Sequence, residues 1–219
     1  MLFGEKELYK QTCALKRGEL KLPPPLEGLR SRLERRLGIH IVNVVYDKID
    51  IGPAKGKPRL NVIAETQADL KRIRNNLFDY KPEACEVIFD EFQAAASVAG
   101  WDSHKPHLIS DDFSAEAMNQ AAFEFFRIDR KKVLKLHASH RVWNITGMSK
   151  DIVVFFMDEE SKAAATSNGA AEQIKQSCYD AVKTYDEFDY ITPENFSLVF
   201  DSKENLDKKY QGNLFYYFR

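Results

Sequence analysis

Leucines spaced three and four residues apart mark the first regular element of the chain. Leu26, Leu29, Leu33 and Leu37 follow a run of three prolines, and the spacing stops at Gly38. Apolar residues at these steps fall on one face of an α-helix, and glycine commonly ends a helix. The pattern predicts an amphipathic helix over 26–37.

Two pairs of β-branched runs predict β-hairpins. The first pair, 39–46 and 59–65, flanks a turn rich in glycine and proline, and the second pair, 141–146 and 151–158, flanks a shorter turn. Strands bounded by such turn residues favour antiparallel pairing. The chain is therefore expected to form two hairpins.

Apolar spacing predicts a helix after each hairpin, at 67–77 and 170–188, a second-half helix that opens at Asp129, and a longer helix at 114–127 between the halves. Further strands are predicted at 85–90 and 196–201 and, after short helical stretches that end at Gly100 and Gly212, at 106–110 and 213–218.

The second half of the chain resembles the first. The segment 41–44 matches 142–145 at an offset of 101, and 60–65 matches 153–158 at an offset of 93. A Pro-Glu pair followed by a Phe-Asp pair at the same spacing recurs, as Glu83 with Asp90 and as Glu194 with Asp201. Self-similarity of this kind is typical of an internal repeat, and the recurring acidic residues are interpreted as turn and cap chemistry.

These elements predict an α+β fold made of two tandem copies of an α-β-β-α-β-α-β unit. Each copy is expected to hold a mixed four-stranded sheet with helices mainly on one face, and a pseudo-twofold axis is expected to relate the copies. The predicted boundaries are an N-terminal extension at 1–22, repeats at 23–112 and 129–219, and a connecting helix at 113–128.

Composition indicates an ordinary globular protein. Hydrophobic residues make up 44% and charged residues 30% of the 219 residues, which excludes disordered, collagen-like and disulfide-scaffold chains. The three cysteines show no CxxC spacing and are interpreted as buried thiols. Neither a signal peptide nor a membrane-spanning run is evident, so a cytoplasmic location without a membrane partner is expected.

Charge is unevenly distributed although the net charge is −1. Residues 1–75 carry 16 basic and 9 acidic side chains, 76–130 carry 4 and 11, and 131–219 carry 12 and 13. The pattern fits either a nucleic-acid face in the first segment or attraction between oppositely charged segments. Short basic runs in a chain that is not basic overall favour the second interpretation.

Two His-x-x-His pairs, His104 with His107 and His137 with His140, are candidates for a divalent metal site. Residues three apart on a helix share a face, so two imidazoles can reach one ion. Carboxylates available to complete the site are Asp102, Asp111 and Asp112. The alternative is that these imidazoles interact only with helix ends and turns.

A second candidate is a carboxylate set around the second hairpin. Asp151, Glu160 and Lys162 resemble the Asp…Glu-x-Lys arrangement of metal-dependent nucleases. That resemblance implies carboxylates that hold Mg²⁺ and a lysine that steadies the attacked phosphate. The alternative is a solvated acidic turn, because the matched position in the first copy has no lysine.

A third candidate is the basic turn of the first hairpin, where Lys55, Lys57 and Arg59 could attract an anion. The alternative is an exposed basic loop without a ligand, since no Gly-Lys-Ser/Thr pattern opens a helix there.

The preferred hypothesis is a non-enzymatic binding or interaction module with its site in a groove between the two halves, and with a protein or a small molecule as ligand. The alternative is a metal-dependent, nuclease-like hydrolase that uses the hairpin carboxylates or the histidine pairs. Nucleic-acid binding by residues 1–75 is the third hypothesis. No cofactor is expected beyond a divalent metal in the hydrolase hypothesis.

Overall fold

The computed structural model of the chain describes residues 6–148 and 150–219. The chain divides into two compact units, Met1–Glu116 and Ala117–Arg219. Helices and strands occur in both units, as the α+β assignment predicted. Each sheet has three strands among the described residues, so the prediction of four-stranded sheets is wrong.

The first unit is built from helices α1 to α4, strands β1 to β3 and the start of α5. Their bounds are α1 Lys6–Lys16, α2 Pro24–Leu37, β1 Ile41–Lys48, β2 Pro58–Ala64, α3 Gln67–Ile73, α4 Pro82–Ala99, β3 His107–Asp112 and α5 Phe113–Ile128.

The second unit contains the remainder of α5 and all the elements that follow it. These are α6 Arg130–Leu136, a single 3₁₀ turn at Ala138–His140, β4 Val142–Met148, β5 Asp151–Phe156, α7 Glu159–Ser167, α8 Ala170–Lys183, β6 Leu198–Ser202, α9 Lys203–Tyr210 and α10 Leu214–Tyr217. No described helix is both long and apolar enough to cross a membrane.

The two sheets have the same topology. In the first, β1 pairs antiparallel with β2 and β2 pairs parallel with β3; in the second, β4, β5 and β6 pair in the same order and directions. The first strand of each sheet is irregular at one place, between Ile41 and Asn43 and between Val142 and Asn144. Both predicted hairpins are therefore present, each extended by a parallel strand.

Helix α2 illustrates how local sequence sets the elements of the first unit. Proline occupies its first turn, where a missing N–H costs no hydrogen bond. Gly38 ends it in the left-handed conformation, with φ of 64°, and donates its N–H to the Glu34 carbonyl. Leu29 and Leu33 are fully buried and join a core with the inward side chains of β1, β2 and α4.

The second unit has an apolar cluster on each face of its sheet. On one face Ile152, Val154 and Phe156 pack among residues of α5, α6, α7 and α8. On the other face Val153 and Phe155 pack with Leu206 of α9 and with the aromatic side chains of the C-terminal segment. Both faces are covered, which differs from the predicted arrangement with helices mainly on one face.

The segment 85–90 is helical, so its prediction as a strand is wrong. It lies inside α4, in which Ala84, Ile88, Phe92 and Ala96 are buried at four-residue intervals. The β-branched and aromatic residues next to Ile88 favour a strand when taken alone. Over the whole segment, however, the buried positions have the spacing of a helix, and the structure follows that spacing. The proposed match between this segment and β6 is wrong for the same reason.

The C-terminal segment 213–218 is also helical rather than extended. Asn213 caps the short helix α10, and its side-chain oxygen accepts a hydrogen bond from the Phe215 N–H. The predicted strands at 106–110 and 196–201 correspond to β3 and β6. Helix α7 was missed, and α3 ends at Ile73 rather than at residue 77.

The strand register corrects one of the two hairpin offsets. Val44 pairs with Val62, and Ile145 pairs with Val154, so an offset of 101 in the first strand accompanies an offset of 92 in the second. The offset of 93 is therefore wrong by one residue. Because side chains alternate between the two faces of a strand, this correction changes which residues share a face.

Candidate functional site

The two faces of the first sheet differ in polarity. On one face Val44, Leu60 and Val62 belong to the hydrophobic core formed with α2 and α4. On the opposite face, here called the outer face, Asn43 and Asn61 are both more than nine-tenths buried. Buried asparagine is uncommon without hydrogen-bond partners, so the outer face is the part of this unit that requires explanation.

Helix α1 covers part of the outer face and is tied to it by a buried hydrogen bond. Asn43 Nδ2 donates to Thr12 Oγ1 at 3.0 Å, and the Thr12 hydroxyl donates to the Leu8 carbonyl at 2.8 Å. Thr12 and Asn43 have no exposed surface. The N-terminal helix is thus an integral part of the unit, although sequence reasoning assigned residues 1–22 to an extension.

A cavity of about 230 Å³ lies between α1 and the outer face. Helix α1 and the three strands each contribute to its lining, which consists of Glu7, Leu8, Gln11, Val45, Asp47, Arg59, Asn61 and Ile109. In this outer-face cavity three aliphatic side chains are joined by five polar or charged ones, so its walls carry groups that can orient a polar ligand.

Asn61 of β2 lines the outer-face cavity. It pairs in register with Val45 on β1 and with Ile109 on β3, so its amide stands between two aliphatic side chains. Only 8% of Asn61 is exposed, and no described residue donates a hydrogen bond to its Oδ1. Leaving a buried polar atom without a partner costs about 1–3 kcal/mol, so packing within the described residues does not by itself explain an asparagine here.

The charged side chains in the cavity lining are held in ion pairs. Arg59 Nε and Nη2 donate to the two carboxylate oxygens of Asp47 at 2.7 and 2.5 Å. Lys10 donates to Glu7 Oε1 at 2.8 Å, with both side chains exposed. The acidic groups of the lining therefore each face a cation.

Of the predicted anion-binding residues, Arg59 lines the outer-face cavity and the other two lie elsewhere. Lys55 and Lys57 are exposed in the turn before β2, whereas Arg59 lies on β2 and is paired with Asp47. The predicted basic cluster is thus divided. Lys55 and Lys57 lie in an exposed turn, and the charge of Arg59 on β2 is balanced by Asp47.

The four candidate histidines have different environments. In the first unit His104 is exposed, with its Nδ1 2.6 Å from Asp102 Oδ1, and His107 is the register partner of Arg59. Asp111 and Asp112 end β3, and Asp112 Oδ1 accepts hydrogen bonds from Ser114 and Ala115 at the start of α5.

In the second unit His137 is buried and His140 lies on the 3₁₀ turn, with 6.1 Å between the ring centroids. Burial, followed by the charge of His140, lowers the pKa of His137. In the part of the chain that the structure describes, no group of three or more His, Cys, Asp or Glu side chains is arranged to hold a metal ion.

The nuclease-like set of the second unit is spread over two elements. Asp151 begins β5, whereas Glu160 and Lys162 lie on α7, a helix that the sequence did not predict. Lys162 Nζ lies 2.6 Å from Glu159 Oε2 and 4.0 Å from Asp201 Oδ1. Its principal partner is therefore the neighbouring Glu159 rather than a residue of the predicted set.

Asp201, at the end of β6, is hydrogen-bonded to the side chains of Asn205 and Tyr217. Both of its carboxylate oxygens accept from Asn205 Nδ2, at 3.0 and 2.9 Å. The Tyr217 hydroxyl also bonds to it, and burial together with this carboxylate raises the pKa of that phenol. Glu83 and Asp90 lie on α4 and Glu194 lies in a turn, so the recurring acidic residues have unrelated positions.

Two other clefts lack the feature that distinguishes Asn61. A groove of about 560 Å³ beside α1 and α2 is lined mainly by aliphatic side chains, and its Arg30 is bonded to Glu27 and to the Ile41 carbonyl. A cleft of about 240 Å³ in the second unit includes His140, Arg141 and Glu160. No buried polar atom without a partner lines either cleft among the described residues.

No protein family, curated protein or solved structure matches the chain. The candidate site therefore depends on the geometry of the outer-face cavity alone. Sequence reasoning missed Asn61, although an asparagine inside the apolar run of residues 60–64 is visible in the sequence. That signal identifies an unusual residue but does not say which face of the strand it occupies.

Proposed function

We propose that this protein is a non-enzymatic binding protein and that its ligand occupies the outer-face cavity of the first unit. The observation that carries the proposal is a cavity of about 230 Å³ whose lining includes Asn61, a largely buried side chain whose Oδ1 has no hydrogen-bond donor among the described residues. Binding sites commonly retain such polar groups at a cost in stability.

We prefer binding to hydrolysis because the two functions require different arrangements of side chains. A metal-dependent hydrolase needs carboxylates or imidazoles that converge on one ion. The described histidines and carboxylates provide no such group. A binding module needs a preformed cavity with polar groups that can orient a ligand, and the outer-face cavity supports that hypothesis.

The proposed site differs in place from the groove between the halves that the sequence suggested. It lies within a single unit and uses residues of α1, β1, β2 and β3. Small-molecule ligands are therefore favoured over a protein partner, because a cavity of this size accepts a small group rather than a protein surface.

We also infer that the two units are copies of one ancestral α/β unit. The inference is supported by the shared strand order and by the irregularity at the same place in β1 and β4. A row of Asn, an apolar residue and Asp also recurs: Asn43 and Asp111 flank Ile63, as Asn144 and Asp201 flank Phe155. An experimental structure in which the strands of the two sheets fail to superimpose would contradict common descent.

Nuclear magnetic resonance tests the binding proposal. The isotope-labelled full chain would be screened against a library of small acids, amines and uncharged amides, with the backbone amides of Val45, Asn61 and Ile109 as reporters. We expect at least one compound to shift these three signals, and we expect the shifts to disappear in Asn61→Val. If no library member perturbs them, the cavity is not a binding site and the proposal fails.

A further inference from the structure

The groove of about 560 Å³ beside α1 and α2, here called the α1–α2 groove, shares no lining residue with the outer-face cavity. Its volume lies within the range of roughly 300–1,000 Å³ that is usual for small-molecule sites, which are mainly apolar with a few polar groups. Five of its eight lining residues are apolar and three are charged. The apolar residues are Leu15, Leu20, Leu22, Pro24 and Val42.

The wall of the α1–α2 groove that connects the two helices is held in place by backbone bonds. The N–H groups of Glu19 and Leu20 both donate to the Ala14 carbonyl, at 2.9 and 3.2 Å, and so fold the chain back onto the end of α1. Pro24, in the first turn of α2, restricts the other end of the connection. Leu20 and Leu22 are therefore held in position without a ligand, and such preorganisation reduces the entropy lost on binding.

A β-bulge supplies the part of the lining that comes from the sheet. Ile41 pairs with Ala64 and Asn43 pairs with Ile63, so Val42 between them is the extra residue of β1. Bulges redirect a side chain relative to the regular alternation of a strand. Val42 lines the groove and is only 8% exposed, so it provides buried apolar surface there.

The apolar lining favours an alkyl chain as ligand. None of its eight residues is aromatic, so a ring would gain no ring–ring contact in the α1–α2 groove. Leu20 is 47% exposed, which leaves apolar surface for a ligand to cover. Each methylene group that the groove removes from water should strengthen binding by about fourfold.

The charged lining residues leave one unbalanced positive charge. Arg30 Nη2 and Nε donate to the two carboxylate oxygens of Glu27 at 2.6 and 3.2 Å, so these two charges compensate each other. Lys21 is exposed and forms no ion pair with another described residue. Its ammonium group, on a flexible four-carbon stem, is available to an anion at the edge of the groove.

We infer that the α1–α2 groove binds a free medium-chain fatty acid, with the alkyl chain against the aliphatic lining and the carboxylate near Lys21. This inference concerns a second cavity and does not rest on the function proposed for the outer-face cavity. Because Lys21 is exposed, the carboxylate keeps much of its hydration and its desolvation penalty stays small. A single fatty acid is preferred to a bilayer surface because Leu22 and Val42 are buried and only one chain at a time can reach them.

Three amphiphiles test the ligand class. Octanoate, hexanoate and octylamine would be titrated into the full chain, with the backbone amide signals of Leu20, Leu22 and Val42 as the readout. We expect octanoate to shift all three signals and to bind about tenfold more tightly than octylamine, whose ammonium group is repelled by Lys21. Hexanoate, which is two methylene groups shorter, should bind about fifteenfold more weakly than octanoate.

A charge reversal separates recognition of the carboxylate from simple burial of the chain. Lys21→Glu should make octylamine the tighter ligand, and it should fold normally because the residue is exposed. Lys57→Glu makes the same change in the exposed turn before β2, outside the lining. This control should leave the affinities for octanoate and octylamine unaltered.

A second variant tests the apolar wall. Leu20→Ser should weaken octanoate binding by about fivefold or more, because it removes aliphatic surface that the chain contacts. Val98→Ser is the matched control, since Val98 is an exposed aliphatic residue on α4 that does not line the groove. The control should bind octanoate as tightly as the unaltered chain does, and thermal unfolding checks that both variants are folded.

Several results would overturn the inference. Equal affinities for octanoate and octylamine, equal affinities for octanoate and hexanoate, or an unchanged preference in Lys21→Glu would each contradict it. Octanoate that shifts only Val45, Asn61 and Ile109 would place the ligand in the outer-face cavity and refute the groove. Vesicles of phosphatidylcholine and phosphatidylglycerol provide a further arm. Sedimentation of the chain with them, without an octanoate shift, would identify a membrane surface as the occupant and refute a free fatty acid.

Discussion

Asn43 Nδ2 donates to Thr12 Oγ1 at 3.0 Å, and this bond joins β1 to a helix that lies 31 residues earlier in the chain. Both side chains are completely buried, so water cannot replace either partner. The position of α1 over the first sheet, and with it one side of the outer-face cavity, depends on this pair.

Replacing Thr12 by valine should therefore destabilise the first unit by about 1–3 kcal/mol. Valine has nearly the same shape, but it leaves the Asn43 amide buried without its acceptor. Urea unfolding of the full chain measures the loss. Thr12→Ser keeps the hydroxyl and is the control; if serine and valine cost the same, the hydrogen bond is not what holds α1.

Val153 pairs with Thr146 as Asn61 pairs with Val45, so Val153 is the second-unit counterpart of Asn61, and a polar residue placed there should be costly. Val153→Asn removes an aliphatic side chain from the cluster with Phe155 and Leu206 and buries an amide, so we expect a loss of about 3 kcal/mol. Val199 pairs with Val153 in the sheet but is 51% exposed, so Val199→Asn should cost less than about 1 kcal/mol. Equal losses in the two variants, measured by thermal unfolding, would contradict this account of the packing around Val153.

The stability of the second unit should depend on pH through His137. Burial, and then the charge of His140, lowers the pKa of His137 below its ordinary value of 6.5, so the folded state favours the neutral ring. A lowered histidine pKa gives a contribution that is complete above the unfolded value and is lost as the pH falls through about 6.5 toward the folded value.

The neighbours of His137 suggest the matched variant. The Ser177 hydroxyl donates to the Gln173 carbonyl at 2.9 Å, so the His137 Nε2, also 2.9 Å from Ser177 Oγ, carries the donated proton. His137→Gln retains an N–H donor without titrating. Between about pH 7.5 and 5.5 the unaltered chain should lose more resistance to urea than this variant. Parallel pH profiles for the two proteins would show that another group is responsible.

The cysteines should differ in reactivity toward iodoacetamide. Cys178 is fully buried, and desolvation raises the pKa of its thiol to about 12, so almost no thiolate exists near neutral pH. Cys85 is only partly buried, and burial raises its pKa as well. Mass spectrometry should find Cys85 labelled in the native protein and Cys178 labelled only after urea is added. Early labelling of Cys178 would indicate that α8 opens in the native state.

The pattern of neighbouring residues was sufficient to predict the elements in which a short run of residues and the longer segment around it favour the same secondary structure. The β-branched runs that flank turn residues form both hairpins, and the apolar spacing between 113 and 128 forms α5. The local signal failed for residues 85–90, where β-branched residues belong to a helix whose buried positions repeat every four residues. It failed again for 213–218, where Asn213 starts a short helix in a run of aromatic residues.

The candidate site could not be located from the sequence pattern alone. The sequence by itself determined two hairpins, their accompanying helices, and an asparagine inside an apolar strand at position 61. Only the tertiary structure decided which face Asn61 occupies, because that depends on pairing with Val45 and Ile109, and a slip of one residue would turn the side chain into the opposite core. Tertiary packing also placed α1 over that face through Thr12, and so created the cavity.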